Sequence, residues 1–473
     1  MSTPTQVTVT QAYRFALDPT SVQVANLYRH AGAARVAFNW GLARVKANLG
    51  QRESERSYGT SEASLTPSLS WSLYSMRRAW NAEKRQIAPW WAECSKEAYN
   101  TGLGQLASAL KNWSDSRSGK RKGPPMGFPR FKSRRAAPPS IRFTTGAIRL
   151  GDDRRHVVLP VLGAIRTHEG TGKLHRRIAA GTARILSASV TLSRGRWFAT
   201  FTVEVKRLAR TPSRPDAAVG VDLGIKSLAV MSDGAVINNP RNYEKARRKL
   251  ARTSRTVSRR QGPDHRTGQE PSNRWRRANS ARNKVHYKVA NTRADGLHKL
   301  TTALVREYGV IVVEDLNVAG MLQNRKLARH VADAGFAELR RQLEYKTAWN
   351  DGRLEVASRW FPSSKTCSVC KTVKPKLSLA QRVFTCENCG MVRDRDHNAA
   401  INLAGLVHAH VAGSGPETKN GRGADRKTRL ALADGREAST PRLASATPGP
   451  DGDFRPAMNE SLGMRNPRER EPS

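Results

Sequence analysis

The sequence predicts a multidomain α/β protein, on three observations. A helical block over residues 21–120 interrupts a series of short strand-like segments. The second half opens on a strand, a tight turn and a strand, and later carries "GVIVVEDLN", a continuous apolar run typical of a strand buried on both faces. Ahead of the final helix stand four cysteines in metal-ligand spacing. At 473 residues the chain is long enough for two or three domains with their own cores.

Each element follows from a local pattern. "VTVTQAYRFAL" alternates as a strand does, and "SVQVANLYRHAGAARVAFNWGLARVKANL" repeats its apolar residues every three or four positions, as a helix does. Helical character resumes from "SWSLYSM" to "ASALKNW", where Trp71, Trp80, Trp90, Trp91 and Trp113 read as core aromatics rather than base-stacking ones. Cys94, within "PWWAECSKEA", reads as an ordinary helix residue. At Gly123 the composition shifts to "GPPMGFPRFKS", and the segments "SIRFTT", "AIRLG", "HVVLP", "ARILSASVTLSR" and "RWFATFTVEV" follow as strands of a barrel or sandwich. From Asp216, "AAVGVDLGIKSLAVMSDGAVI" gives strand, turn and strand. A long basic helical region then spans Tyr243–Tyr308, broken near "QGPDHRTGQEPSN". After "GVIVVEDLN" come a helix, "AGFAELRRQLEYKTAWN", and a strand, "RLEVASRWF". Beyond Ala412 the chain is polar, rich in Gly, Pro and Ser, and predicted to be disordered.

Charge narrows the function. Lys and Arg number 82 against 39 Asp and Glu, a net charge of +43, and self-repulsion on that scale is relieved by a polyanion, so nucleic acid is the expected partner. The acid-poor segments Asn242–Arg260 and Arg274–Lys288 are the expected phosphate contacts. No apolar run reaches membrane-spanning length and Met1–Ala16 lacks the apolar centre of a signal peptide, so the expected location is the cytoplasm, on the nucleoid when DNA is bound, with no membrane partner.

The cysteines Cys367, Cys370, Cys386 and Cys389 form C-x2-C, fifteen residues, C-x2-C. Two such knuckles close a tetrahedron around Zn2+. Four thiolate ligands leave no open position, so the ion is structural. Acids follow apolar strands at three places: Asp222 ends "AAVGVD", Glu314 and Asp315 end "VIVVED", and Asp394 and Asp396 precede "NAAINLAGLVHAHV". One such acid alone is adequately explained as a cap or turn former, whereas three suit two Mg2+ ions about 4 Å apart acting on a phosphodiester. At about 100° per residue, Ala399, Ala400, Leu403 and Val407 share a helical stripe that includes Asp396 and leaves Asp394 nearly opposite. Asp396 is therefore the expected ligand, and Asp394 either a helix-entry residue or a partner that supports the ligand. The same reasoning leaves Glu314 and Asp315 undivided, since a strand buried on both faces has no preferred side.

"GVDLGIKSLAV", "VIVVEDLNV", the four-cysteine ribbon and "DRDHNAAINL" stand in the order of the TnpB proteins, which this sequence resembles from about Ala12 to Val407. "FNWGLARVKA" and "GFPRFKS" are similar to that family's N-terminal half. The resemblance implies a β-barrel wedge domain (1–20 and 121–215) and a helical recognition domain (21–120). It further implies a ribonuclease H-like RuvC nuclease domain (216–360 and 393–410) with an inserted zinc ribbon (361–392), and leaves a tail (411–473). It also implies Asp222, Glu314 and Asp396 as catalytic acids holding Mg2+, a guide RNA as cofactor and partner, and target DNA cut beside a short adjacent motif. Compact type V CRISPR effectors share these motifs; the chain's size favours TnpB. An RNA-independent transposase and a non-cleaving RNA- or DNA-binding regulator are the alternatives, and the sequence does not specify an oligomeric state.

Overall fold

The computed structural model describes residues 6–411 except 122, 135–137, 145–147, 265 and 379, and omits the side chains of 408–411. The expected disordered tail lies outside the described residues from 412 onward. The alternating segment at the N-terminus forms β1 (Gln6–Ala16), and Thr20 caps α1 (Ser21–Ser57) through a reciprocal pair of hydrogen bonds with Gln23. Then come α2 (Leu73–Ile87), α3 (Lys96–Arg117), β2 (Ser140–Phe143), β3 (Arg149–Leu150), β4 (His156–Leu159), β5 (Gly163–Arg166), α4 (Gly172–Ala179), β6 (Ala183–Ser193) and β7 (Arg196–Leu208).

These elements share one core. Phe15, Phe143, Val190 and Phe201 of the strands pack in the same cluster as Leu27, Phe38, Trp80 and Leu106 of the helices. The helical block is thus docked on the β domain rather than separately cored. Trp80 is buried, with Trp40 edge-on to it and Tyr99 stacked on it, while Trp71, Trp90 and Trp91 pack around that core and Trp113 lies against Trp71 and Phe128. Cys94 departs from expectation. It lies at the turn capped by Ser95, one residue before that cap, and is buried rather than helical. Asn39, in "FNWGLARVKA", donates to the Lys132 carbonyl at 3.0 Å and accepts from the Lys132 amide at 2.8 Å. The two N-terminal motifs are therefore tied directly together.

The expected barrel is an open path of strands among the described residues. One sheet runs β1-β7-β6-β2 and another β3-β4-β5. They are joined where Leu17 bridges Thr167 just past the ends of β1 and β5. The gap between β2 and β3 coincides with residues 145–147.

The second half contains β8 (Arg214–Leu223), β9 (Ser227–Met231), β10 (Val236–Asn238), α5 (Asn242–Ser258), α6 (Asn273–Glu307), β11 (Tyr308–Glu314), α7 (Val318–Gln323), α8 (Ala328–Ala334), α9 (Phe336–Ala348), β12 (Arg353–Ala357), β13 (Val383–Thr385), β14 (Val392–Asp394) and α10 (Arg395–Val411). Its main sheet has the order β10-β9-β8-β11-β12; β11 runs parallel to both β8 and β12, while β9 and β10 are antiparallel. Side chains alternate between two faces with period two. Val219, Val221, Ile311 and Val313 pack on α6 and α9, whereas Val312 packs with Leu403 and Val407 of α10. No helix among the described residues is long and apolar enough to cross a membrane.

Candidate active site and metal centre

The placement of α10 sets the site. A Cβ on Gly220 would lie 2.0 Å from the Ala400 carbonyl oxygen and 2.6 Å from the Ala404 amide, so β8 and α10 touch backbone to backbone there. Two residues along β8, on the same face, is Asp222; one turn back along α10 from Ala400 is Asp396. Across the sheet Val312 is opposite Gly220 and Val313 opposite Val221, so the next residue, Glu314, falls beside Asp222. Asp222, Glu314 and Asp396 thus gather at the end of two parallel strands beneath the start of one helix.

Asp222 senses this company. Burial among protein atoms, then the negative charges of Glu314, Asp396 and Asp394, push its carboxyl up to about 8, against a partial offset from Arg395. Asp396 accepts from Arg395 Nη2 at 3.2 Å. Asp394 is exposed, and its Oδ1 accepts from the amides of Asp396 and His397 at 3.0 and 3.1 Å, which makes it the cap of α10. Asp315 turns the other way. Arg340 of α9 donates to it at 2.6 Å and Arg359 at 2.8 Å, and these partners hold its carboxyl below the usual range. Glu314 instead accepts a hydrogen bond from Ser363 Oγ.

The four cysteine sulfurs lie within 4.8 Å of one another, with Cys367–Cys389 at 3.6 Å and Cys370–Cys386 at 3.5 Å. A tetrahedron with Zn–S of about 2.3 Å has edges of about 3.8 Å, so the set fits Zn2+. Among the described residues, the cysteines are the one group of three or more such side chains drawn that close. Asp222, Glu314 and Asp396 are not drawn that close together.

Sequence reasoning overlooked Ser363, Asn398 and Asn402. The one sequence signal was a pair of asparagines four residues apart in α10; they lie off its apolar stripe, yet both are buried.

Against known proteins, residues 200–325 match a family described as "Probable transposase", residues 336–403 a "Cas12f1-like, TNB domain", and residues 8–54 a "Helix-turn-helix domain". Over that last stretch the structure has a strand and one unbroken helix, β1 and α1. A Mycobacterium tuberculosis (strain CDC 1551 / Oshkosh) protein, provisionally named RNA-guided DNA endonuclease MT2953, is 41% identical, covering 90% of this chain and 93% of that protein. The chain belongs to the TnpB family. A second TnpB-family relative, from Escherichia coli (strain K12) and provisionally named RNA-guided DNA endonuclease InsQ, is 30% identical over 85% of this chain and 93% of its own length. Viral proteins named TnpB-like match over a shorter stretch. Among solved structures, a chain from a Cas12f1–sgRNA–target DNA complex aligns with a TM-score of 0.45 and 12% identity, covering 84% of this chain and 99% of that one.

Proposed function

We propose that this TnpB-family chain is an RNA-guided DNA endonuclease that binds a structured guide RNA and cuts target DNA at the carboxylates gathered beneath α10. The observation that carries the reading is the convergence of Asp222, Glu314 and Asp396 where β8 and β11 end beneath α10, in a chain with a large positive excess; burial first, then the neighbouring negative charges, raise the Asp222 carboxyl. The relatives' names support the RNA-guided activity. In this reading the sheet is the core of a ribonuclease H-like RuvC domain, the cysteine segment is its inserted zinc ribbon, and the N-terminal lobe combines the wedge and recognition domains.

Asp222, Glu314 and Asp396 would hold the Mg2+ ions. Bound there, Mg2+ would supply Lewis acidity for the attacking water and the leaving oxygen. Asp222 would shed its proton on metal loading, since a divalent cation would offset the burial and the neighbouring negative charges that keep it protonated. Arg395 orients Asp396 at the mouth of the site through its guanidinium hydrogen bonds. Arg340 and Arg359 hold Asp315 away, so that Glu314 alone of that pair faces the cluster. Cys367, Cys370, Cys386 and Cys389 would hold Zn2+, closing a segment with little core of its own. Asn242–Arg260 and Arg274–Lys288 would meet phosphates; α5 and α6 pack together and leave most of their arginines exposed.

The deciding experiment is to express the chain with its native flanking DNA, purify it at high salt and sequence the RNA that accompanies it. A single RNA, a constant scaffold joined to a guide, is expected, and its origin separates a transposon source from a CRISPR array. Heterogeneous cellular RNA would favour the second reading, an RNA-independent transposase, which the description of the matched 200–325 family supports.

Gly220→Ala tests the geometry. The added methyl meets backbone on α10, which cannot rotate aside, and it displaces Asp396 from Asp222. A displacement near 1 Å is expected to slow cutting by about 100-fold, with a lower melting temperature by calorimetry. Guide RNA retention should be unchanged.

A further inference from the structure

We infer that Ser363 is a positioning residue for Glu314, and that Asn398 and Asn402 fix Ser363 and the first cysteine knuckle together on α10, so that the ribbon and the catalytic carboxylate move as one body. The inference rests on the reading of Glu314 as a carboxylate that holds metal.

Glu314 needs such a partner. It ends β11, carries three rotatable side-chain bonds, and stands near the like charges of Asp222 and Asp396, which favour its turning away. Arg340 and Arg359 hold Asp315 the other way, whereas the partner of Glu314 is a neutral hydroxyl. The Ser363 hydroxyl donates one hydrogen bond, adds no charge, and leaves the remaining lone pairs of the carboxylate available.

Ser363 is itself buried, in an irregular segment after β12 where no strand ladder satisfies the backbone. The side chains of α10 do that instead. Asn402 Nδ2 donates to the Ser363 carbonyl at 2.9 Å and to the Thr366 carbonyl at 2.6 Å. Asn398 Nδ2 donates to the same Thr366 carbonyl at 2.7 Å, and its Oδ1 accepts from the Ser368 amide at 2.9 Å, next to Cys367. A continuous chain of hydrogen bonds therefore runs from the knuckle through two asparagines one turn apart to Ser363 and Glu314. Asn402 Oδ1 is buried with no partner among the described residues. Leaving such an atom unsatisfied is destabilising, a cost that an apolar side chain would avoid. What Asn402 supplies, and an apolar residue would not, is a pair of donors for those two carbonyls.

The test uses the guide-bound protein with Ser363→Ala and Ser363→Thr. Mn2+ binding, followed by electron paramagnetic resonance of the free ion, should weaken about ten-fold in S363A. The Mg2+ concentration for half-maximal single-turnover cutting should rise in parallel, while zinc content, bound RNA and melting temperature stay at wild-type values. S363T, which keeps the hydroxyl, should recover most of the affinity. Mn2+ affinity within two-fold of wild type in S363A would overturn the inference. So would a loss of zinc or a lower melting temperature in S363A, since the serine would then serve only the fold of the ribbon. If the wild type carries no discrete RNA yet S363A still weakens Mn2+ binding, the RNA-guided reading fails and the positioning role stands.

Discussion

Asp222→Asn should abolish cutting and at the same time stabilise the magnesium-free protein. Removing a carboxylate that would hold Mg2+ would forfeit several kcal/mol of transition-state stabilisation, so cutting should drop about a thousand-fold. The stability effect has the opposite sign. The Asp222 carboxyl lies at about 8 in the folded chain against an ordinary 3.8, so folding favours its protonated form. The contribution of Asp222 is fully present below about pH 4 and is lost as pH rises toward 8, where the charge must form in a buried site beside Glu314, Asp396 and Asp394. At ~1.4 kcal/mol per pKa unit the ceiling is on the order of 5 kcal/mol, lowered by the access to solvent that Asp222 retains. Asparagine carries no charge and escapes the penalty. Calorimetry in magnesium-free buffer should show little advantage for D222N at pH 5 and a clear one above pH 8. Saturating Mg2+ should reverse the order, because only the wild type gains the full binding energy. An advantage independent of pH would mean that the carboxylates do not repel one another as the geometry implies.

Much of this site was legible in the sequence because periodicity decides it. The stripe of Ala399, Ala400, Leu403 and Val407 is buried as helical spacing requires, and it carried Asp396 to the inner face while leaving Asp394 to cap the helix. The knuckle spacing was equally local. Where two faces of an element are both buried, local pattern has nothing to decide with. Periodicity could not divide Glu314 from Asp315, and only the family resemblance named Glu314; in the structure α9 and the segment after β12 bring Arg340 and Arg359 onto Asp315. Closure of the N-terminal strands was likewise out of reach, since it depends on pairings such as Leu17 with Thr167 across a whole helical block. The Ser363–Asn402–Asn398 chain escaped notice because irregular segments carry no periodicity, and their polar side chains acquire meaning only once partners are in place.

Replacing Cys386 and Cys389 together with serine should lower cutting by about 100-fold or more while leaving RNA retention near wild type. Strands β13 and β14 have three residues each, far below what stands alone in water. The buried part of the ribbon is only Cys367, Phe384 and Cys386, with Cys370, Leu377 and Met391 around them. A segment so thinly cored would owe its fold to a zinc ion held by the four cysteines, whose binding free energy would be folding free energy of about 10 kcal/mol or more. Its loss reaches the nuclease site directly. β14 ends at Asp394, the cap of α10, and Asp396 lies in the first turn that this cap secures. When the hairpin opens, that turn frays and Asp396 leaves Asp222, although the far end of α10 stays packed through Leu403 and Val407. The basic pair α5–α6 and the N-terminal lobe bury their side chains elsewhere, so the surfaces expected to meet RNA should persist. Zinc content by atomic emission, bound RNA by denaturing gel and single-turnover cutting on one preparation separate the cases. Zinc lost, RNA kept and cutting lost is the expected pattern. Equal loss of RNA and cutting would mean that the ribbon supports the whole chain rather than one edge of the active site.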